Sequence, residues 1–153
     1  MTVGAEPVRV QGSSRGEQAI RLTIPAKPEY VSLVRLALTG LSRLRAVDEE
    51  TLADLKLAIT EAASNSVRHA YGGGSGTVEV VYDLLPDRLV IEVTDDGEGF
   101  DYGDESAATT PDAELTEGGL GIAIIQAVSD EFELGKGPGG RGSRLRFAKR
   151  LDG

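Results

Sequence analysis

The sequence predicts an α+β fold, a two-layer α/β sandwich in which helices cover one face of a mixed, mostly antiparallel sheet. Three observations carry this reading. Stretches 28–44 and 48–71 repeat apolar residues at helical spacing, and stretches 77–84 and 88–94 alternate apolar and polar residues across a short turn, as an antiparallel hairpin does. Helices and strands do not alternate regularly, which argues against a parallel doubly wound sheet.

In chain order, residues 1–17 are rich in Gly, Ser and charge and read as a flexible N-terminal tail, leaving 18–153 as a single domain. Residues 19–24 alternate briefly and stop at Pro25, a short strand. Pro28 opens a helix to about Leu44, with Val31, Val34, Leu38 and Leu41 forming one apolar stripe. Asp48 is a natural N-cap for a second helix, with Glu49 and Glu50 in its first turn and Leu52, Leu55, Ile59, Ala62 and Val67 on its apolar side. Gly72, Gly73 and Gly74 end it. After the hairpin, residues 95–117 lose periodicity and become rich in Gly, Asp, Thr and Pro, too long for an ordinary connection. A glycine cluster at 118–121 leads into an apolar helix over 122–128, and strands near 132–134 and at 143–150 close the chain.

Composition limits the function classes. A chain of 153 residues, 40% hydrophobic, is one ordinary domain that can bury its own core. It has no cysteine, which excludes zinc ribbons, thiolate catalysis and iron–sulfur clusters and fits a reducing compartment or indifference to redox. No stretch approaches the ~18 apolar residues of a membrane span, and residues 1–16 lack the apolar segment of a signal peptide. The expectation is a cytoplasmic protein with no membrane association. A net charge of −9 repels phosphate backbones, so nucleic acid is not expected as a direct partner. The basic residues Arg141, Arg144, Arg146, Lys149 and Arg150 fall in the last stretch, whose alternation reads as a solvated strand face.

Three local features carry chemistry. Glu61 and Asn65 lie four apart on the second helix, so a carboxylate and a carboxamide point into the same space, where they could share a hydrated cation or orient a hydroxyl. On the helix alone the pair reads as structural. Asp95 ends a strand and is followed by Gly97 and Gly99; an aspartate there can accept a hydrogen bond from an exocyclic amine while the glycines let a flat base approach the backbone. The competing reading is an acidic turn. Gly118, Gly119 and Gly121 would present unblocked N–H groups to an anion at a helix start, yet they match neither the P-loop nor the dinucleotide fingerprint.

Taken in order, Glu61-xxx-Asn65, Asp95-x-Gly97-x-Gly99, Gly118-Gly119-Leu120-Gly121 and Gly142-Ser143 resemble the N, G1, G2 and G3 boxes of the GHKL, or histidine-kinase-like, ATPase superfamily. Within it, the run from Glu61 through Arg68, His69 and Tyr71 is most similar to the anti-sigma-factor serine/threonine kinases of bacterial partner-switching systems, as are Glu117 to Ile122 and the later Asp130-Glu131. The resemblance spans about 19–150. It implies a Bergerat-type ATP-binding fold using ATP and Mg2+, with Asn65 coordinating the metal, Asp95 bonding the adenine amine and Glu61 acting as general base or its positioner. It further implies that Gly97 and Gly99 border the base, that Gly118, Gly119, Leu120 and Gly121 lie along the phosphates, that Ser143 keeps the hydroxyl usually supplied by threonine, and that 101–117 forms a lid. That lid departs from expectation in being acidic, with no basic partner for the γ-phosphate. The implied activity is phosphorylation of an anti-anti-sigma antagonist by a homodimeric protein that also sequesters a sigma factor. A regulatory module that binds nucleotide without phosphotransfer, and an ATPase that hands the phosphate to water, remain as alternatives.

Overall fold

The computed structural model describes residues 8–13, 18–72, 76–96, 117–137, 140 and 142–151; the side chains of 9–13, 18, 69–72 and 117–119 lie outside that description. Six strands form one sheet: β1 (Arg9–Ser13), β2 (Gln18–Pro25), β3 (Thr77–Leu84), β4 (Arg88–Asp95), β5 (Glu131–Lys136) and β6 (Ser143–Arg150), in the spatial order β1-β2-β3-β4-β6-β5. Every described pairing is antiparallel, a purer arrangement than the mixed sheet the sequence suggested.

Alternation along each strand sorts the two faces. Leu22 and Ile24 of β2, Val78, Val80 and Tyr82 of β3, Ile91 and Val93 of β4, and Leu145 and Phe147 of β6 are buried in one apolar layer. The register stacks them, with Ile24 opposite Val78, Val80 opposite Val93 and Ile91 opposite Phe147. The opposite face carries charge. Arg21 pairs with Glu79 at 3.2 Å, Arg144 with Glu92, and both Arg144 and Arg146 reach Glu133 at 3.7 Å. These pairs are partly exposed, so they favour register and solubility more than stability.

The helical layer consists of α1 (Val31–Leu41), α2 (Glu49–Gly72) and α3 (Glu117–Val128), with α2 touching both of the others and lying over β3, β4 and β6. Val31, Val34, Leu38 and Leu41 of α1 are buried, the stripe the sequence predicts. The helix is shorter than the predicted 28–44. Residues Pro28–Tyr30 form a 3₁₀ turn, and at the other end Arg43 and Leu44 donate to the carbonyls three residues back, Gly40 and Leu41, tightening the chain out of α geometry. Arg45 then donates to the carbonyls of Leu85 and Pro86, fastening this loop to the β3–β4 turn. Across the layers, the Tyr82 hydroxyl donates to the Val34 carbonyl at 2.8 Å, and burial pushes its pKa well above the ordinary phenol value.

α2 begins as predicted. The Asp48 carboxylate accepts from the Thr51 amide at 2.6 Å, and Glu49 and Glu50 occupy the positive end of the helix. Leu55, Ala58, Ile59, Ala62, Ala63 and Val67 face the core.

Two elements differ from expectation. Residues 1–17 are not all tail, because Arg9–Ser13 pairs with β2, Gly12 lying opposite Ile20. α3 starts at Glu117, so Gly118, Gly119 and Gly121 lie inside its first turns and do not precede it. Among the described residues no helix is long and apolar enough to cross a membrane.

Candidate functional site

Glu61 and Asn65 occupy the later part of α2, where the face toward the core changes from leucine and isoleucine to Ala62, Ala63, Asn65, Ser66 and Val67. Small residues there let a neighbouring helix approach closely. α3 is that neighbour: a methyl group on Gly121 would lie 2.8 Å from Glu61 Oε1, 3.3 Å from Asn65 Nδ2 and 3.6 Å from Asn65 Oδ1. Glycine at 121 therefore leaves room for both polar side chains against the α3 backbone.

The two residues differ in exposure. Glu61 is half-buried, whereas Asn65 is completely buried. The Asn65 Oδ1 accepts from the Arg68 guanidinium, one turn further along α2. Among the described residues, Asn65 Nδ2 is buried with no hydrogen-bond partner. A buried donor without a partner costs about 1–3 kcal/mol, so an asparagine retained here is costly unless something else uses it.

At the end of β4, Asp95 is buried and its Oδ2 accepts from the Ser143 hydroxyl at 3.0 Å. The two residues face each other in the β4–β6 register. Gly142, just before Ser143, has φ +68°, and a methyl group there would sit 1.8 Å from the Asp95 carbonyl oxygen. The backbone of 142 thus passes directly against that of Asp95, which only glycine permits in both conformation and space. Asp96 turns away, its Oδ1 accepting from the Thr77 amide at 3.4 Å.

The structure brings Glu61, Asn65 and Gly121 into one space and, separately, Asp95 and Ser143 into another at the end of β4. Gly118 and Gly119 lie in the first turn of α3, where backbone N–H groups have no intrahelical partners, and Leu120 beside them is exposed. Gly97, Gly99 and the lid residues 101–116 lie outside the described residues. So does the His69 side chain, whose backbone continues α2. Among the described residues no group of three or more His, Asp or Glu side chains forms a metal cage. The sequence reading missed two contacts: Arg68 on Asn65, for which a basic residue three positions on was the available signal, and the tight passage of Gly142 over Asp95, which only the β4–β6 register reveals.

An antiparallel sheet layered with helices, a buried asparagine and a glutamate under a glycine of the next helix, and a buried aspartate at a strand end define a class. The profile of the histidine kinase-like ATPase domain matches residues 24–149, and the chain belongs to that family. Curated relatives sharpen the comparison. The chain is 39% identical to the serine-protein kinase RsbW of Bacillus pumilus, over 86% of each chain. It is 34% identical to the Staphylococcus aureus protein of that name, over 88% of this chain and 89% of the relative, and 40% identical to the one from Listeria innocua, over 75% and 78%.

Proposed function

We propose that this protein is an ATP-dependent serine/threonine protein kinase that acts on a partner protein. The observation that carries the reading is the Glu61–Asn65–Gly121 cluster: a half-buried carboxylate and a fully buried amide held against a glycine of α3, in a chain 34–40% identical to named serine-protein kinases.

Phosphoryl transfer requires positioning and charge neutralisation more than covalent help from the protein. In this reading Asp95, its second oxygen held by Ser143, accepts from the adenine amine, Gly97 and Gly99 border the base, and the N–H groups of Gly118 and Gly119 face the phosphates with Leu120 and Gly121 alongside. The donor set suits magnesium, which keeps water and phosphate ligands and needs few from the protein; the Asn65 amide oxygen, which accepts from Arg68 here, is the proposed contribution. When bound, the metal would neutralise charge on the phosphates. Glu61 takes the proton of the incoming serine or threonine hydroxyl as its oxygen bonds to the γ-phosphorus, the bond from that phosphorus to the bridging oxygen breaks, and ADP leaves.

The partner-switching role is proposed on the same footing: a cytoplasmic homodimer that sequesters a sigma factor and phosphorylates its anti-anti-sigma antagonist. Its support is the similarity of Glu61–Tyr71 and of the α3 start to anti-sigma kinases. Glu61→Gln is the discriminating variant. Phosphate transfer from ATP to the antagonist should fall by at least ~100-fold, the range of a lost general base, while ATP affinity stays within about twofold. Unchanged transfer would remove Glu61 from the chemistry. Phosphate release without any protein acceptor, at the rate of antagonist phosphorylation, would favour an ATPase.

A further inference from the structure

Asn65 is completely buried, yet its two amide atoms are treated unequally. Oδ1 accepts from the Arg68 guanidinium, while Nδ2 is buried without a partner among the described residues. Arg68 itself is exposed, so a solvent-facing cation reaches in to cover a buried oxygen. It also determines which way the amide faces: a reversed amide would set Nδ2 against the guanidinium, donor against donor. Nδ2 is the amide atom nearer the space beneath Gly121, where Glu61 Oε1 also lies, and a carboxylate there favours that same orientation.

We propose that Arg68 is a resident cation on Asn65, occupying in the nucleotide-free protein the oxygen a divalent metal would take, so that metal binding must displace it. This rests on the reading of Asn65 as a metal ligand. Two like charges, +1 and +2, competing for one oxygen at a few ångströms repel strongly even at the moderate effective dielectric of a protein surface. The arrangement makes two things follow. Without metal, the buried amide oxygen is satisfied and the end of α2 is held in shape. With metal, the cost of removing Arg68 is subtracted from metal affinity, so magnesium coordination becomes weaker and more dependent on the phosphates that accompany it.

The test is the magnesium concentration at half-saturation for ATP binding, followed by a fluorescent ATP analogue, in the full chain and in Arg68→Met, Arg68→Lys and Asn65→Ala. Arg68→Met keeps the aliphatic stem without the cation, and should lower the half-saturating magnesium by roughly three- to tenfold, the scale of one exposed charge-assisted hydrogen bond. Arg68→Lys retains a cation and should lie nearer the parent. A half-saturation that is unchanged or raised in Arg68→Met overturns the proposal; a rise would mean that Arg68 presents Asn65 to the metal. Circular dichroism establishes that each variant is folded, and if Arg68→Met is not, the side-chain amide resonances of Asn65 in the parent decide, since displacement predicts that they shift on adding magnesium with nucleotide but not with nucleotide alone. Asn65→Ala separates the two levels: if it leaves magnesium dependence intact, the metal-ligand reading fails, whereas loss of that dependence with no shift in Arg68→Met removes only the resident cation.

Discussion

The residue that best shows how the site constrains single positions is Gly142. Its φ of +68° lies where L side chains cost about 1–2 kcal/mol, and a methyl group would overlap the Asp95 carbonyl oxygen at 1.8 Å, a backbone atom that cannot rotate aside. Relief requires β6 to move away from β4 where Ser143 holds Asp95. Gly142→Ala should therefore destabilise by roughly 2–4 kcal/mol, the sum of strain and overpacking, and weaken nucleotide binding as Asp95 shifts. Gly40 is the control, helical in α1 with nothing within 4 Å of an added methyl. Gly40→Ala should gain about 0.5–1 kcal/mol. Urea unfolding of the two variants measures both, and equal midpoints would show that the close passage over Asp95 carries no strain. Gly121 belongs to a third kind: the nearest obstacle to a methyl is the movable end of Glu61, so substitution there moves the carboxylate before it unfolds the chain.

At the scale of the element, α2 joins both ends of the problem, because one helix supplies the centre of the core and the polar pair of the site. Its start depends on Asp48, whose pKa is lowered by the backbone and side-chain hydrogen bonds of Thr51. A carboxylate with a folded pKa below its ordinary 3.8 adds stability that is present above that value and lost as pH falls through the folded pKa. Asp48→Ala should accordingly lower the melting temperature at pH 7 and converge with the parent as pH falls through the folded pKa, where the parent loses its charged cap. Thermal melts across pH 2.5–7 check this, and a deficit that persists unchanged in acid would mean the cap acts through something other than its charge. The start of α2 was legible because capping is local: an aspartate, two glutamates and an apolar period stand together in sequence. The hairpin and the last strand were legible for the same reason, and β6 has the bounds that alternation alone suggests. β1 was not, since Arg9–Ser13 is polar, contains a glycine and is held by backbone pairing with β2, which leaves no trace in its own composition. The start of α3 was misplaced because glycines read as a break, whereas here they lie within the helix and one gives α2 access to its backbone.

At the scale of the whole molecule, the candidate site is legible only as an ordered set. Glu61 and Asn65 on their own helix resemble an ion-pair partner and a cap, and no periodicity says that Gly121, more than fifty residues later, closes over them. The fold supplies that link by laying α3 against α2, and the sheet supplies the other by setting β6 beside β4 so that Ser143 meets Asp95. Both polar clusters are therefore attached to the layers that hold the core: Ala62 and Ala63 are buried beside Glu61, and Val93 and Leu145 beside Asp95 and Ser143. Nucleotide bound between them would add its binding free energy to the cooperative unit as a whole. A ligand at 100 times its dissociation constant stabilises by about 2.7 kcal/mol, which for a domain of this size raises the melting temperature by roughly 5–10 °C. Magnesium with ATP should produce that shift in the parent protein, and Asn65→Ala should lose the part that depends on magnesium while keeping the part due to the base. The net charge of −9 opposes an incoming polyanion, so the shift obtained without magnesium should grow with added salt as that repulsion is screened. Differential scanning fluorimetry with and without magnesium, at two salt concentrations, measures each contribution, and an identical shift in the parent and in Asn65→Ala would detach the buried amide from nucleotide binding altogether.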